Sequence, residues 1–193
     1  MRIFFLFIVF FLLFSCGSSK QSKGAKNTDE KLADIAPEKK ASVKIYLTYT
    51  DAHCGGVSPT PEEIKELNTP KPLTHTKIFL REGKKNNWKE PVLYEFTSNG
   101  EGIITTRLPV GEYSVVFENK SGQDVFEEYL KNYGEETEDY EAIDTTCLER
   151  FMTHPEKVLK VEFDRGNVQR VNRRGACPWN SIPCTQYKGN IPP

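Results

Sequence analysis

THTKIFLREGKKNNWKEPVLYEFTSNGEGIITTRLPVGEYSVVFE, residues 74–118, holds four short runs in which apolar and polar side chains alternate. Thr76, Ile78 and Leu80 alternate with Lys77, Phe79 and Arg81. Val92, Tyr94 and Phe96 alternate with Leu93, Glu95 and Thr97. Ile104, Thr106 and Leu108 make the third run. Tyr113, Val115 and Phe117 alternate with Glu112, Ser114 and Glu118. A period of two puts successive side chains on opposite faces, so each run predicts a strand that buries one face. Asn99-Gly100 predicts a tight hairpin with positive φ at both central positions. Pro109-Val110-Gly111 predicts the next turn, with Pro109 presetting φ. Short strands at this spacing predict a mainly β chain folded as an antiparallel β-sandwich of about seven strands.

Working outward, Val43 to Tyr49 supplies another strand, burying Val43, Ile45, Leu47 and Tyr49. Cys54 to Pro72 reads as a decorated connection outside the sheet. Within it Thr60 is the N-cap of a short helix, with Pro61 at its first position, Glu63 completing a capping box and an end near Asn68. After the central block, Ser121 to Tyr133 predicts a helix capped by Ser121 and Asp124. Its apolar stripe is Val125, Phe126, Tyr129, Leu130 and Tyr133, and Gly134 stops it. Asp144 caps a second helix on which Cys147, Leu148 and Phe151 share a face. Lys157 to Phe163 predicts a strand burying Leu159, Val161 and Phe163. Val168 to Val171 returns after the Arg165-Gly166-Asn167 turn. The expected organisation is a signal peptide (1–15), a tether (16–41), a sandwich domain with helical insertions (42–176) and a Cys/Pro-rich tail packed on it (177–193).

The chain has 193 residues, 37% hydrophobic and 27% charged, with a formal net charge of −1. That is a globular composition with no basic excess, so nucleic acid is not an expected partner. Met1-Arg2 precedes an unbroken apolar run of twelve residues, Ile3 to Phe14. The run is short for a bilayer span and matches the hydrophobic region of a secretory signal. Leu13-Phe14-Ser15-Cys16 followed by Gly17 resembles a bacterial lipobox. That resemblance implies cleavage before Cys16, acylation of its thiol, and a membrane partner engaged through the lipid. Cleavage would leave 25 basic against 27 acidic residues, a formal −2. Ser18 to Glu30 has no apolar periodicity and reads as a flexible spacer. No Asp or Glu follows Cys16 directly, which favours an outer-membrane position facing the periplasm.

The other cysteines are Cys54, Cys147, Cys177 and Cys184. An even count in an exported domain predicts two disulfides. Three pairings are open. The expected one is Cys54–Cys147 with Cys177–Cys184, the latter closing a short loop bracketed by prolines.

Pro72-Leu73 ahead of Lys77-Ile78-Phe79-Leu80, then Thr97-Ser98-Asn99-Gly100-Glu101-Gly102, then Leu108-Pro109-Val110-Gly111-Glu112-Tyr113 carry a likeness. Over residues 42–118 the chain resembles the transthyretin-like (prealbumin-like), carboxypeptidase regulatory-like or collagen-adhesin B-type module. Cys54-Gly55-Gly56 and the ending Cys177-Pro178-Trp179 to Pro192-Pro193 resemble those of Bacteroidetes-type envelope lipoproteins. The sandwich resemblance implies adhesion, stalk formation, glycan or partner binding, and no catalytic site.

Several groups are candidates for chemistry. His53, Cys54, His75 and His154 have the ligand types of a soft-metal site. Cys147 with His154 offers a nucleophile and a base. The acidic run Glu135, Glu136, Glu138, Asp139, Glu141 and Asp144 offers calcium ligands but lacks the spacing and glycine of a calcium loop. Lys44 with Asn172 is a candidate isopeptide pair, and Asp144-Thr145-Thr146 resembles an O-glycosylation triplet. Trp88, flanked by Lys84, Lys85 and Lys89, is a candidate ligand contact on an exposed loop. The expected function is a non-catalytic binding or structural module without a cofactor, whose partner is an envelope protein or a glycan. The alternative is a periplasmic enzyme or metal-handling protein using His53, Cys54, His75 or His154.

Overall fold

The computed structural model describes residues 39–163 and 166–190. The expected signal peptide, Cys16 and the tether as far as residue 38 lie outside the described residues. Among the described residues there are eight strands: β1 (Lys40–Thr50), β2 (Lys71–Pro72), β3 (Lys77–Glu82), β4 (Tyr94–Thr97), β5 (Ile103–Pro109), β6 (Gly111–Phe117), β7 (Lys157–Val161) and β8 (Asn167–Arg174). The helices are α1 (Pro61–Leu67), α2 (Gln123–Tyr133) and α3 (Thr145–Thr153). The strands form two four-stranded sheets, and the fold is a mainly β sandwich.

The hub of sheet A is β1. One of its edges pairs antiparallel with β5 from Lys40 to Tyr46 and then with β2 at Thr48 and Tyr49. Its other edge pairs with β8 from Val43 to Thr50, and this pairing is parallel. Sheet B runs β4-β3-β6-β7 and is antiparallel throughout. The inner faces meet as the alternation requires. Val43, Ile45 and Leu47 of β1 pack against Ile78, Leu80, Val115, Phe117 and Leu159 of sheet B, all essentially inaccessible. Each such burial stabilises by about 1.5–3 kcal/mol.

Sheet B is covered on its second face as well. Phe79 and Val116 face each other across β3 and β6, as do Arg81 and Ser114, and all four are buried. A second core of Trp88, Phe126, Ile143, Leu148 and Met152 lies over them. The molecule therefore has three layers: sheet A, sheet B, and a layer built from α2, α3 and the β3–β4 loop. The period-two reading assigned Phe79 and Arg81 to solvent. The amphipathic helices reverse that assignment, because their own apolar stripes need a surface to cover.

Other boundaries shift for local reasons. Lys71 and Pro72 belong to sheet A, so the connection after Cys54 ends inside the sheet. Phe163 is 55% exposed because β7 ends at Val161. Helix α2 is capped by Gly122 rather than Ser121 and so has no side-chain cap, while the Ser121 carbonyl accepts from the guanidinium of Arg81. On α3 the deepest residues are Leu148 and Met152, while Phe151 is half-buried. The caps at Thr60 and Asp144 form as expected.

The turns of the central block carry the chain between sheets. Strands β4 and β5 lie in different sheets, so residues 98–102 make a corner rather than a hairpin. Gly102 N donates to Asn99 O and Asn99 N to Ile103 O, while the Asn99 side chain accepts from Glu101 N and Ile103 N. The left-handed residue is Gly102, with φ 73°, rather than Asn99 or Gly100. This is a three-residue loop closed by a left-handed glycine. At the next corner the Tyr113 hydroxyl donates to Pro109 O at 2.9 Å, the device that locks a crossing strand in many sandwiches.

Candidate functional site

Both disulfides tie the tail to the body, in a pairing different from the expected one. Cys54 bonds Cys177 and Cys147 bonds Cys184. The parallel alignment of β1 and β8 explains the first. Thr50 lies beside Arg174, so the loop leaving β1 and the tail leaving β8 emerge together. Cys184 is then carried to α3, where Asp144 N donates to its carbonyl. Between those anchors the tail pairs with the acidic loop: Glu141 N donates to Gln186 O, Lys188 N to Asp139 O, and Lys188 Nζ reaches Glu136 at 2.8 Å.

Where the end of β8 meets the helical layer, a cleft of about 400 Å³ opens. The short turn Glu118–Lys120 after β6 places Asn119 in it. One face of α2 contributes Glu128, Tyr129, Asn132 and Tyr133, and β8 contributes Arg173. On the far side of Asn119 and Arg173 lies a second hollow of about 660 Å³. It takes in Lys120, Arg150, His154 and Arg174, with the Cys147–Cys184 bridge at its wall. Asn119 and Arg173 are therefore shared between the two.

The polar groups of this region are unevenly matched. Lys120 is buried, pairs with Glu156 at 2.8 Å, donates to His154 O at 3.1 Å and lies 4.2 Å from the centroid of Phe151. Arg173 lies over the Phe117 ring at 5.3 Å. Among the described residues, Arg150, Arg173 and Arg174 take part in no ion pair, and the buried Oδ1 of Asn119 receives no hydrogen bond. Burial raises the Tyr129 phenol above its ordinary value, against smaller opposing effects of the Arg173 charge and an Asn119 hydrogen bond, so it stays protonated and can donate. An acceptor without a donor, a neutral phenol, a guanidinium and two carboxylates thus surround two tyrosine faces. Such an arrangement offers hydrogen-bond donors, acceptors and aromatic surface side by side.

The residues singled out in the sequence lie elsewhere. Trp88 is 5% exposed and stacks on Phe126 with centroids 4.6 Å apart, so it is a core residue of the helical layer and not a surface contact. Its loop is drawn inward by Asn86, whose buried amide donates to Lys120 O and Met152 O. Cys54 and Cys147 are bridged, which removes both thiols from metal and nucleophile roles. The His53 ring is 2.7 Å from Val57 O, His75 sits at the turn into β3 with φ 49°, and His154 is the C-cap of α3. Among the described residues no three His, Cys, Asp or Glu gather into a metal-holding group, the acidic loop included. Lys44 pairs in register with Val168 and Asn172 with Thr48, which separates the candidate isopeptide partners by four positions along β1. Asn119, Tyr129 and Arg173 escaped sequence reasoning. Tyr129 looked like part of an apolar stripe, and the other two gave no local signal.

No family model matches the chain. No curated protein matches it. Among solved structures it is similar to the shaft pilin SpaA from Lactobacillus rhamnosus GG, with 12% identity and a TM-score of 0.31 over 78% of this chain and 52% of that one. The E269A/D295N double mutant of the same pilin gives 14% and 0.32. The chain thus spans about half the length of these structures. No helix among the described residues is long and apolar enough to cross a membrane.

Proposed function

We propose that the chain is an envelope lipoprotein, held on the outer membrane through acylated Cys16 and facing the periplasm. On this reading its sandwich, of the prealbumin-like kind suggested by the turn motifs, is a non-catalytic binding module. The observation that carries the binding role is the cleft of about 400 Å³ in which Tyr129 and Tyr133 stand beside Asn119 and Arg173. The aromatic faces of Tyr129 and Tyr133 and the carboxylates of Glu118 and Glu128 suit a glycan or a hydroxyl-rich peptide segment from an envelope partner. The two disulfides support export, since such bonds persist in oxidising compartments.

Two measurements test the reading. Mass analysis of the Cys16 peptide from membrane-extracted protein should show an acylated N-terminal cysteine; a chain retaining residues 1–15, or starting elsewhere, would end the anchor claim. Saturation-transfer NMR against envelope oligosaccharides should show contact that Arg173→Ala and Asn119→Leu remove. Contact unaffected by either substitution would place the ligand outside this cleft.

A further inference from the structure

The outer face of sheet A carries charge of one sign. Its outward positions on β1 are Lys40, Ser42, Lys44, Tyr46, Thr48 and Thr50, fixed by the burial of Ala41, Val43, Ile45 and Leu47 between them. Register places Arg107 beside Ser42 from β5, and Val168, Arg170 and Asn172 beside Lys44, Tyr46 and Thr48 from β8. Four cations, Lys40, Lys44, Arg107 and Arg170, therefore stand on this face, and no carboxylate occupies an outward position of β1, β5 or β8. None of the four forms an ion pair among the described residues. Lys44 Nζ and Arg170 Cζ flank the Tyr46 ring at 5.0 and 5.9 Å, and Val168 is 54% exposed. The formal charge of the chain is −1, so the balancing acids lie elsewhere. Asp124, Glu127, Glu128 and the loop Glu135–Glu141 belong to the helical layer, on the far side of sheet B.

We infer that this face rests on an anionic phospholipid bilayer. The inference builds on the reading of Cys16 as a lipid anchor. A lipid on Cys16 would keep the domain at high effective concentration beside the membrane, where even weak surface attraction selects an orientation. Surface potential attracts each cation and repels the acidic helical layer, so both ends of the charge asymmetry turn sheet A toward the lipid. Tyr46 is the kind of amphipathic ring that sits at headgroup level. In this orientation the long axis of the sandwich lies along the membrane and the helical layer faces away from it.

The full-length protein in vesicles tests this by acetylation of lysines, mapped by mass. Lys44 is expected to react more slowly in phosphatidylcholine vesicles containing phosphatidylglycerol than in phosphatidylcholine alone. Lys65 and Lys131 should react equally in both. Each arginine neutralised, Arg107→Gln or Arg170→Gln, should lower the docked-to-free ratio about fivefold. For the unaltered protein, 0.5 M salt should remove the protection, which needs no variant to fold. Equal labelling of Lys44 in the two vesicle types overturns the inference. So does protection that survives salt, or protection that grows with protein concentration in neutral vesicles, which would mean that a second copy covers the face. Retention in the vesicles and the mass of the Cys16 peptide report separately on the anchor, and vesicles added to unanchored protein repeat the labelling.

Discussion

Arg81 Nη1 donates to Oδ1 of Asn86 at 2.8 Å, and both side chains are buried between sheet B and the helical layer. Among the described residues no carboxylate neutralises this arginine. Its remaining donors go to the carbonyls of Glu90 and Ser121, and burial lowers its pKa from the ordinary value. Asn86 passes the connection on, donating to Lys120 O at 2.9 Å and to Met152 O at 2.7 Å. One asparagine thus joins β3, the turn after β6 and α3.

Asn86→Ala is expected to destabilise the domain by about 3 kcal/mol or more, because it strands a buried cation and two carbonyls. The denaturant midpoint should fall. Loss of near-ultraviolet dichroism from Trp88 at lower denaturant than the loss of strand signal would show the helical layer releasing first. A midpoint within experimental error of the parent would refute the role given to Asn86.

Gly102 and Gly100 should separate sharply. Gly102 has φ 73°, and a Cβ there would sit 2.6 Å from Leu47 O, to whose residue Gly102 is already bonded through Leu47 N. Gly102→Ala should lower stability by more than about 2 kcal/mol, combining left-handed strain with the clash. Gly100 has open space around it, and Gly100→Ala should stay within about 0.5 kcal/mol of the parent. Thermal unfolding of the two variants decides; equal effects would contradict this corner geometry.

The disulfides close loops of very different length. Cys54–Cys177 spans a separation of 123 residues and Cys147–Cys184 spans 37. In the chain-entropy account, removing the first should cost about 4–5 kcal/mol and the second about 1 kcal/mol less. Paired serine variants compared by equilibrium unfolding test the order. Peptide mapping without reduction tests the pairing itself, and a Cys177–Cys184 fragment would overturn it.

Two exposed carboxylates report on peripheral contacts. The Lys188 ammonium, through a hydrogen bond and its charge, lowers the pKa of Glu136. Glu63 is lowered chiefly by the hydrogen bond from the Thr60 backbone, then by its side chain. A carboxylate whose folded pKa is depressed contributes stability above its unfolded value near 4.5, and that contribution is lost as pH falls through the lowered folded value. Carboxyl NMR titration should place both midpoints below 4.5. Lys188→Ala should return Glu136 to the ordinary range and leave Glu63 unmoved. A Glu136 midpoint insensitive to Lys188 would disprove the tail contact.

Strands and helix caps were legible because they are written in neighbouring residues. The alternation of β1, the box from Thr60 to Glu63 and the cap at Asp144 all form. What stayed hidden depends on distant partners. Trp88 sits among lysines and reads as a loop tip until Phe126 of α2 is laid on it. Arg81 occupies an outward strand position whose cover comes from residues as far away as Ser121. Asn99-Gly100 has the composition of a hairpin turn, yet the strands it joins belong to different sheets, which no local pattern encodes. The disulfide pairing follows the parallel alignment of β1 with β8, and the cleft at Arg173 exists only once α2 has docked.

The parallel pairing of β1 with β8 also bears on mechanics. The chain enters the domain at Lys40, and the stapled tail leaves from the opposite end of the same pair of strands. A pull between the entry point and that far end runs along β1, so its ladder bonds to β8, β5 and β2 are loaded in shear, together rather than one after another. The sheet that gives the molecule its core is therefore also oriented to carry tension.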